Sequence, residues 1–262
     1  MTDPKDIAEK FTAARAAGRA LDAYPGTPPA TLEQAYAVQA AAIACWPDEV
    51  KGWKVARIGA AFATQFPEER LIGPAFARNV HHVEAGAAAQ CPVFEGGFAA
   101  VEAEVVIVVA ANSPAGKSDW TAESVIPLVK SMHIGVEVAS SPLATLNDIG
   151  PGAVISDFGN NWGVVVGPEI ANWRELETIA VETFIDGQFV GSGKVAIKPG
   201  PLGALAFTLN KRAEQGAILK AGDVISTGMI TGVHDIRIGQ QSRHVFVGCG
   251  EVQVQVTRAT AA

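Results

Sequence analysis

The chain has 262 residues, of which 48% are hydrophobic and 18% charged, and its formal net charge is −7 at pH 7. That length suits one domain, or a main domain with an appendage, and the apolar share supplies a sizeable core and excludes a disordered chain. An acidic balance without a basic patch argues against nucleic acid, and the apolar runs are too short to span a bilayer. The opening residues lack the basic and apolar segments of a secretion signal. Cys45, Cys91 and Cys249 are odd in number and widely spaced, so neither a disulfide framework nor a zinc site follows. Reduced, cytoplasmic thiols are the simplest expectation.

In chain order, residues 4–20 are predicted as a helix, with Ile7, Phe11, Ala14 and Ala17 or Gly18 on one face. After the link at Pro25-Gly26-Thr27-Pro28-Pro29, Thr31 with Gln34 three residues on opens an Ala-rich helix to about Ala44. Gly52–Ala56 reads as a short strand, residues 60–66 as a short helix, and Leu71–Phe76 as a loop or edge strand. From about residue 91 the pattern turns to strands, expected at 101–110, 132–139, 163–167, 178–185, 188–191, 223–227 and 245–257. Asp186-Gly187 signals a hairpin turn. Helices are expected at 121–130 and at about 202–215, the second stopped by Gly216. A Gly-Cys-Gly break at 248–250 suggests a bulge in the last strand. Helices and strands do not alternate regularly. This disfavours a doubly wound sheet and favours an α+β fold with a large, mostly antiparallel, curled sheet.

Three carboxylates stand out. Glu102 and Glu104 are two apart on a strand and therefore share a face, at the mouth of the apolar run Val105–Val109. Glu137 sits inside a second apolar run, Gly135–Ala139. Taken singly, each reads as an acid on a half-exposed strand. The unbroken apolar runs, however, point to strands buried on both faces, where an isolated Glu is rare unless paired or metal-bound. Like charges sharing a desolvated face repel, and a hard divalent cation such as Mg²⁺ relieves both burdens. Lys54, between Trp53 and Val55, is either a snorkelling lysine at a strand edge or a cation that holds an anionic substrate or donates a proton. Asp157 and Asn161 read by themselves as turn residues. His81 and His82 are expected on a loop-like surface, and His133 in the core. His234-Asp235 lacks an accompanying nucleophile motif, and no G-x-S-x-G, P-loop or G-x-G-x-x-G is present.

Together these residues resemble the fumarylacetoacetate hydrolase superfamily, and more closely its 2-oxopent-4-enoate hydratase and 4-oxalocrotonate decarboxylase branch. The resemblance runs through Gly52-Trp53-Lys54-Val55, Val101–Glu104, Val136-Glu137-Val138, Asp157 and Asn161–Gly167, and continues in Gly200–Ala206 and Leu219–Gly228. It implies a fumarylacetoacetase-like mixed β-sandwich roll with an N-terminal helical section, divided as 1–90 and a β-roll catalytic domain at 91–262. It further implies that Glu102, Glu104 and Glu137 hold Mg²⁺ or Mn²⁺. Lys54 and Asp157 are then catalytic, and Arg57, Asn161 and Thr227 bind substrate. The chain departs from the branch at Ala56-Arg57-Ile58-Gly59, at Phe158 and at Met229-Ile230.

The activity so implied is hydration of a 2-hydroxy-2,4-dienoate of the 2-oxopent-4-enoate type, in the breakdown of aromatic compounds by a cytoplasmic homo-oligomer. The alternatives are decarboxylation of a 2-oxo-3-enedioate such as 4-oxalocrotonate, hydrolysis of a C–C bond in an acylpyruvate, and a non-catalytic binding subunit that keeps the fold. A decarboxylase must hold a second carboxylate, for which Arg57 and Lys198 are candidates.

Overall fold

A computed structural model of the chain describes residues 2–261. The elements run α1 (Pro4–Ala16), α2 (Leu32–Cys45), β1 (Val50–Arg57), β2 (Arg70–Phe76), β3 (Val80–His82), β4 (Ala88–Val93), β5 (Phe98–Val109) and β6 (Val129–Ser141). They continue α3 (Leu146–Ile149), α4 (Pro151–Ser156), β7 (Asn161–Glu169), β8 (Thr178–Ile185), β9 (Gln188–Ala196), α5 (Gly200–Glu214), β10 (Val224–Ser226), β11 (His234–Asp235), β12 (Gln241–Phe246) and β13 (Gly250–Arg258).

The helix starts follow from capping. The Asp3 carboxylate accepts from the Lys5 N–H at the head of α1. The Thr31 hydroxyl accepts from the Gln34 N–H at the head of α2, and the Gln34 side chain accepts from the Ala30 N–H. Each cap satisfies a donor that the first helical turn leaves free. α1 stops at Ala16, earlier than the expected residue 20, because Gly18 takes a left-handed φ of 61° and turns the chain away. Gly216, at φ 70°, follows α5 in the same manner.

Two expected elements are corrected. Residues 121–130 form no α-helix. Thr121 and Ser124 exchange side-chain-to-backbone hydrogen bonds that close a turn, and a single 3₁₀ turn at Ile126–Leu128, containing Pro127, leads directly into β6. The proline lacks a donor and cannot continue a helix ladder. The segment 245–257 is not one bulged strand but the hairpin β12–β13, reversed around Gly248 and Gly250 at φ 79° and 123°. His81 and His82 lie not in a loop but in β3, paired parallel with β7, where the His81 ring stacks on Trp162 with centroids 5.7 Å apart.

Among the described residues the strands form two sheets. The larger has the order β2-β1-β10-β5-β6-β7-β3, with β11 also paired to β5; the smaller has the order β4-β13-β12-β8-β9. The boundary expected at residue 90 falls within β4, and the larger sheet combines strands from both sides of it: β1 pairs in parallel with β10. The main core lies between the sheets and α5. It takes Val101, Ala103, Val105 and Ile107 from one face of β5, Val252 and Val254 from β13, and Leu202, Leu205 and Leu209 from α5. Alternation along β5 therefore turns Glu102 and Glu104 to the opposite face. That face is covered in part by a second cluster, built from Ile7 and Phe11 of α1, Val38 and Ala42 of α2, and Leu146, Ala153 and Phe158.

Candidate active site

The site is built on the middle strands of the larger sheet. β5 and β6 run antiparallel with Glu102 directly opposite Glu137 and Glu104 opposite Gly135. One ligand oxygen from each of Glu102, Glu104 and Glu137 can be chosen so that the three lie within 4.8 Å of one another. Glu104 and Glu137 are fully buried and Glu102 nearly so. Gly135 leaves room beside this cluster, since a Cβ there would come within 2.5 Å of Val106.

Each inner carboxylate has one oxygen held and one free. Glu104 Oε2 accepts from the Ser226 hydroxyl at 2.5 Å and from the Gly228 N–H at 2.8 Å, while its Oε1 is buried without a partner. Glu137 Oε1 accepts from Asn161 Nδ2 at 2.9 Å and faces Lys54 Nζ at 3.2 Å, while its Oε2 is likewise buried and unpartnered. Leaving a buried acceptor unsatisfied costs roughly 1–3 kcal/mol. Two such oxygens beside a third carboxylate form an all-oxygen donor set, the chemistry that hard divalent cations select. The residues present thus fit a divalent metal.

The electrostatics agree. Burial first, then the Glu137 charge, push the Glu102 carboxyl up to about 7, with Lys54 opposing. Burial and the charges of Glu137 and Glu102 hold Glu104 well above the usual carboxylate range, although Ser226 and Gly228 lower it. Burial alone would lower the Lys54 ammonium, but Glu137, Glu102 and Glu104 outweigh it and keep its pKa above the ordinary lysine value. Lys54 is therefore a buried cation at neutral pH.

A cavity of ≈ 560 Å³ opens beside the cluster. Lys54, Glu102 and Thr227 line it, with Arg57 at the rim and apolar walls from Phe62 and Leu71. Thr227 borders the cavity, but its hydroxyl proton is committed to the Val105 carbonyl at 2.7 Å. It can accept from a ligand, not donate.

Two expected residues do other work. Asp157 does not line the cavity. Arg15, from α1, clamps it with Nε to Oδ1 at 2.6 Å and Nη2 to Oδ2 at 2.9 Å, and both side chains are buried. Asp157 is a structural ion-pair partner. Asn161 does not line the cavity either; its amide holds Glu137 in place. Three contributors escaped the sequence reading. Arg15 sits on the apolar face of α1, four residues beyond Phe11, and a charge on that stripe is the signal that marks it. Asn160 lines the cavity at φ 63°, and its buried Oδ1 has no protein donor. Arg70, on β2, lines the cavity while only 8% exposed. Lys198 pairs instead with Glu123 at 2.9 Å, on the exposed surface.

The stretch that presents Asn160 and Asn161 is tightly bent. Phe158, Gly159 and Asn160 all have positive φ, at 56°, 70° and 63°. Gly73 of β2 packs against this turn so closely that a Cβ on it would lie 2.2 Å from the Phe158 carbonyl oxygen. The two backbones touch only because both positions are glycine.

No family model matches the sequence, and no curated protein matches it. Solved structures do match in shape. The 4-oxalocrotonate decarboxylase from Pseudomonas putida G7, complexed with magnesium and adipate, is similar over 97% of this chain and 97% of its own, at 23% identity and a TM-score of 0.77. Fumarylpyruvate hydrolase from Pseudomonas aeruginosa, in complex with Mn²⁺ and pyruvate, is similar over 90% of this chain and 99% of its own, at 18% identity and a TM-score of 0.58. The 5-carboxymethyl-2-hydroxymuconate delta-isomerase from Mycobacterium smegmatis is similar over 80% of this chain and 81% of its own, at 20% identity and a TM-score of 0.55. The chain has the fold of these enzymes, the fumarylacetoacetase-like mixed β roll expected from its sequence. Among the described residues, no helix is long and apolar enough to cross a membrane.

Proposed function

We propose that the chain is a metal-dependent lyase of the fumarylacetoacetate hydrolase superfamily, acting on a short 2-oxo or 2-hydroxydienoic acid. The carrying observation is the pair of buried, unpartnered carboxylate oxygens on Glu104 and Glu137, with Glu102 beside them at the cavity wall. A divalent cation held there supplies Lewis-acid stabilisation of negative charge on a 2-oxo acid.

The chain's own residues set up the rest. Three carboxylates and one divalent ion leave one negative charge, and the Lys54 ammonium offsets it, so an anionic substrate meets a neutral inner wall. Lys54, lining the cavity, binds the substrate's anionic end or delivers a proton to carbon. Asn160 Oδ1 offers an acceptor to a water or a substrate hydroxyl. Ser226 and Asn161 orient the carboxylates from behind the cavity lining, and Gly228 does so from the cavity wall itself. Among the described residues no histidine lines the cavity, which leaves a C–C hydrolase without its customary water-activating base and favours the lyase readings.

Within these, hydration of 2-hydroxypenta-2,4-dienoate draws on the acidic Lys54 and on Asn160. Decarboxylation of a 2-oxo-3-enedioate uses the same inner wall, and the likeness to a decarboxylase along 97% of both chains favours it. Purified protein is to be assayed with both compounds, with and without EDTA. Loss of the dienol ultraviolet band, stopped by EDTA, supports hydration. CO₂ release from 4-oxalocrotonate, stopped by EDTA, supports decarboxylation. Inertness towards both, together with no Mg²⁺ binding by calorimetry, overturns the lyase reading.

A further inference from the structure

The cavity is larger than a five-carbon acid. Its volume of ≈ 560 Å³ falls in the range of about 300–1,000 Å³ that holds drug-sized ligands. A 2-oxopentenoate held at the glutamate cluster fills only the inner part.

The outer part is walled by apolar side chains. β1 and β2 pair Lys54 with Gly73 and, two positions further on, Ala56 with Leu71. Directly paired residues share a face, so Ala56 and Leu71 form the next layer beyond Lys54, about 7 Å along the strand. Phe62, Val195, Met229 and Val233 line the same cavity from the segment after β1, from β9 and from the loop between β10 and β11. Met229 and Val233 are each about half-exposed. Unburied apolar surface gathered in one concavity marks a place where a ligand, not the protein, completes the packing.

The charges at the rim cancel. Arg57 and Arg70 pair across β1 and β2 on the face opposite Lys54, and both reach the Glu69 carboxylate, at 3.8 and 3.4 Å. Asp235 lines the cavity as a further carboxylate. Two guanidiniums and two carboxylates leave the rim without net charge, so a second anionic group on a ligand gains no net attraction there.

We propose that Met229 and Val233 are specificity-determining residues, and that the cavity selects a 2-oxo or 2-hydroxydienoic acid carrying a bulky, uncharged apolar group, of about phenyl size, at the end away from its carboxylate. This rests on the reading that the glutamate cluster takes a 2-oxo acid, and of the two lyase readings it sides with hydration of a monoanion. The residues that carry it are separate from the glutamate cluster. Burying a phenyl-sized group against such a wall tightens binding by about 10- to 100-fold.

Binding of 2-oxobutanoate and of 2-oxo-4-phenylbutanoate to the Mg²⁺-loaded protein, measured by calorimetry, tests this. The two ligands share the 2-oxo acid end and differ by the phenyl group alone. The expected result is a preference for the phenyl ligand of about 10- to 100-fold. Met229→Asn and the near-isosteric Val233→Thr, both at half-exposed positions, should each weaken the phenyl ligand by roughly fivefold. Affinity for 2-oxobutanoate, and for Mg²⁺ without organic ligand, should not change in either variant. Met229→Leu should keep the preference. Equal affinity of the wild type for the two ligands overturns the assignment and leaves the 2-oxo acid reading standing. Tighter binding of 2-oxoadipate, whose far end is a carboxylate, than of the phenyl ligand also overturns it, as does an unchanged preference in both polar variants. If no 2-oxo acid binds although Mg²⁺ does, the 2-oxo acid reading falls and takes this one with it.

Discussion

Lys54 is one residue whose role can be separated by measurement. Its ammonium lies 3.2 Å from Glu137 and faces the cavity, so Lys54→Ala should reduce turnover by roughly 100- to 10,000-fold, the usual range for a positioned acid. Mg²⁺ binding should survive, because the substitution removes a positive charge and no ligand oxygen; kcat and calorimetric Mg²⁺ affinity together check this. Asp157→Ala should behave differently. It leaves the Arg15 guanidinium buried without its carboxylate, at a cost of about 3–5 kcal/mol, read as a lower midpoint in chemical denaturation. A variant of normal stability but without activity would contradict the structural role. The contrast shows what could be read from residues alone. Glu102, Glu104 and Glu137 were legible because acids inside apolar strand runs break a local pattern. Asp157 was not, because its partner is 142 positions away and no local pattern reports such a pairing. Arg70 hid for another reason: beside Glu69 it reads as one half of a surface ion pair, and only the fold shows that it is buried.

At the scale of elements, the site depends on backbone contact as much as on side chains. The turn at Phe158–Asn160 has three consecutive positive φ values, and Gly159 and Gly73 touch through their backbones. Gly159→Ala should cost about 1–2 kcal/mol from the left-handed conformation alone, with more from a Cβ placed 2.8 Å from the Gly73 Cα. Urea denaturation measures the loss. Because Asn161 follows this turn and holds Glu137, Mg²⁺ affinity should fall in the same variant. The central strands, α2 and α5 were legible, since long apolar runs and capping residues dictate them locally. The turn at 121–128 was mistaken for a helix because its apolar residues carry helical spacing, whereas the Thr121–Ser124 bonds and Pro127 decide the backbone. The β12–β13 reversal was mistaken for a bulge because alternation continues on either side of Gly248 and Gly250, and only pairing with β8 separates the strands.

At the scale of the whole molecule, two kinds of buried titratable group pull stability in opposite directions with pH. Glu102 rises from an ordinary 4.5 to about 7 in the fold. The metal-free fold therefore favours its protonated form; that contribution is full below the ordinary value and is lost as pH rises through about 7. His244 is fully buried between Thr183 and Ser242, and burial pushes it from 6.5 down to about 3. Its neutral form stabilises the fold above the ordinary value, and that contribution is lost as pH falls towards 3. Metal-free protein should thus lose stability on both sides of weakly acidic pH. Mg²⁺ binds the ionised glutamates, so it should raise the melting temperature more at about pH 8 than at about pH 5.5. Thermal melts at both pH values, with and without the ion, check this; an equal Mg²⁺ shift at both would refute it.

Glu102 stands opposite Glu137 in the β5–β6 pair. A strand displaced by one position presents all its side chains to the other side of the sheet. A chain that refolds with β6 one step out of place would send Glu137 into the apolar interior and leave the other two acids alone. Ion capture is then a proofreading step: it rewards the correct alignment of the central hairpin and withholds its stabilisation from every misaligned one. The fraction of a refolded preparation that takes up Mg²⁺ counts the molecules whose central strands have found their proper partners.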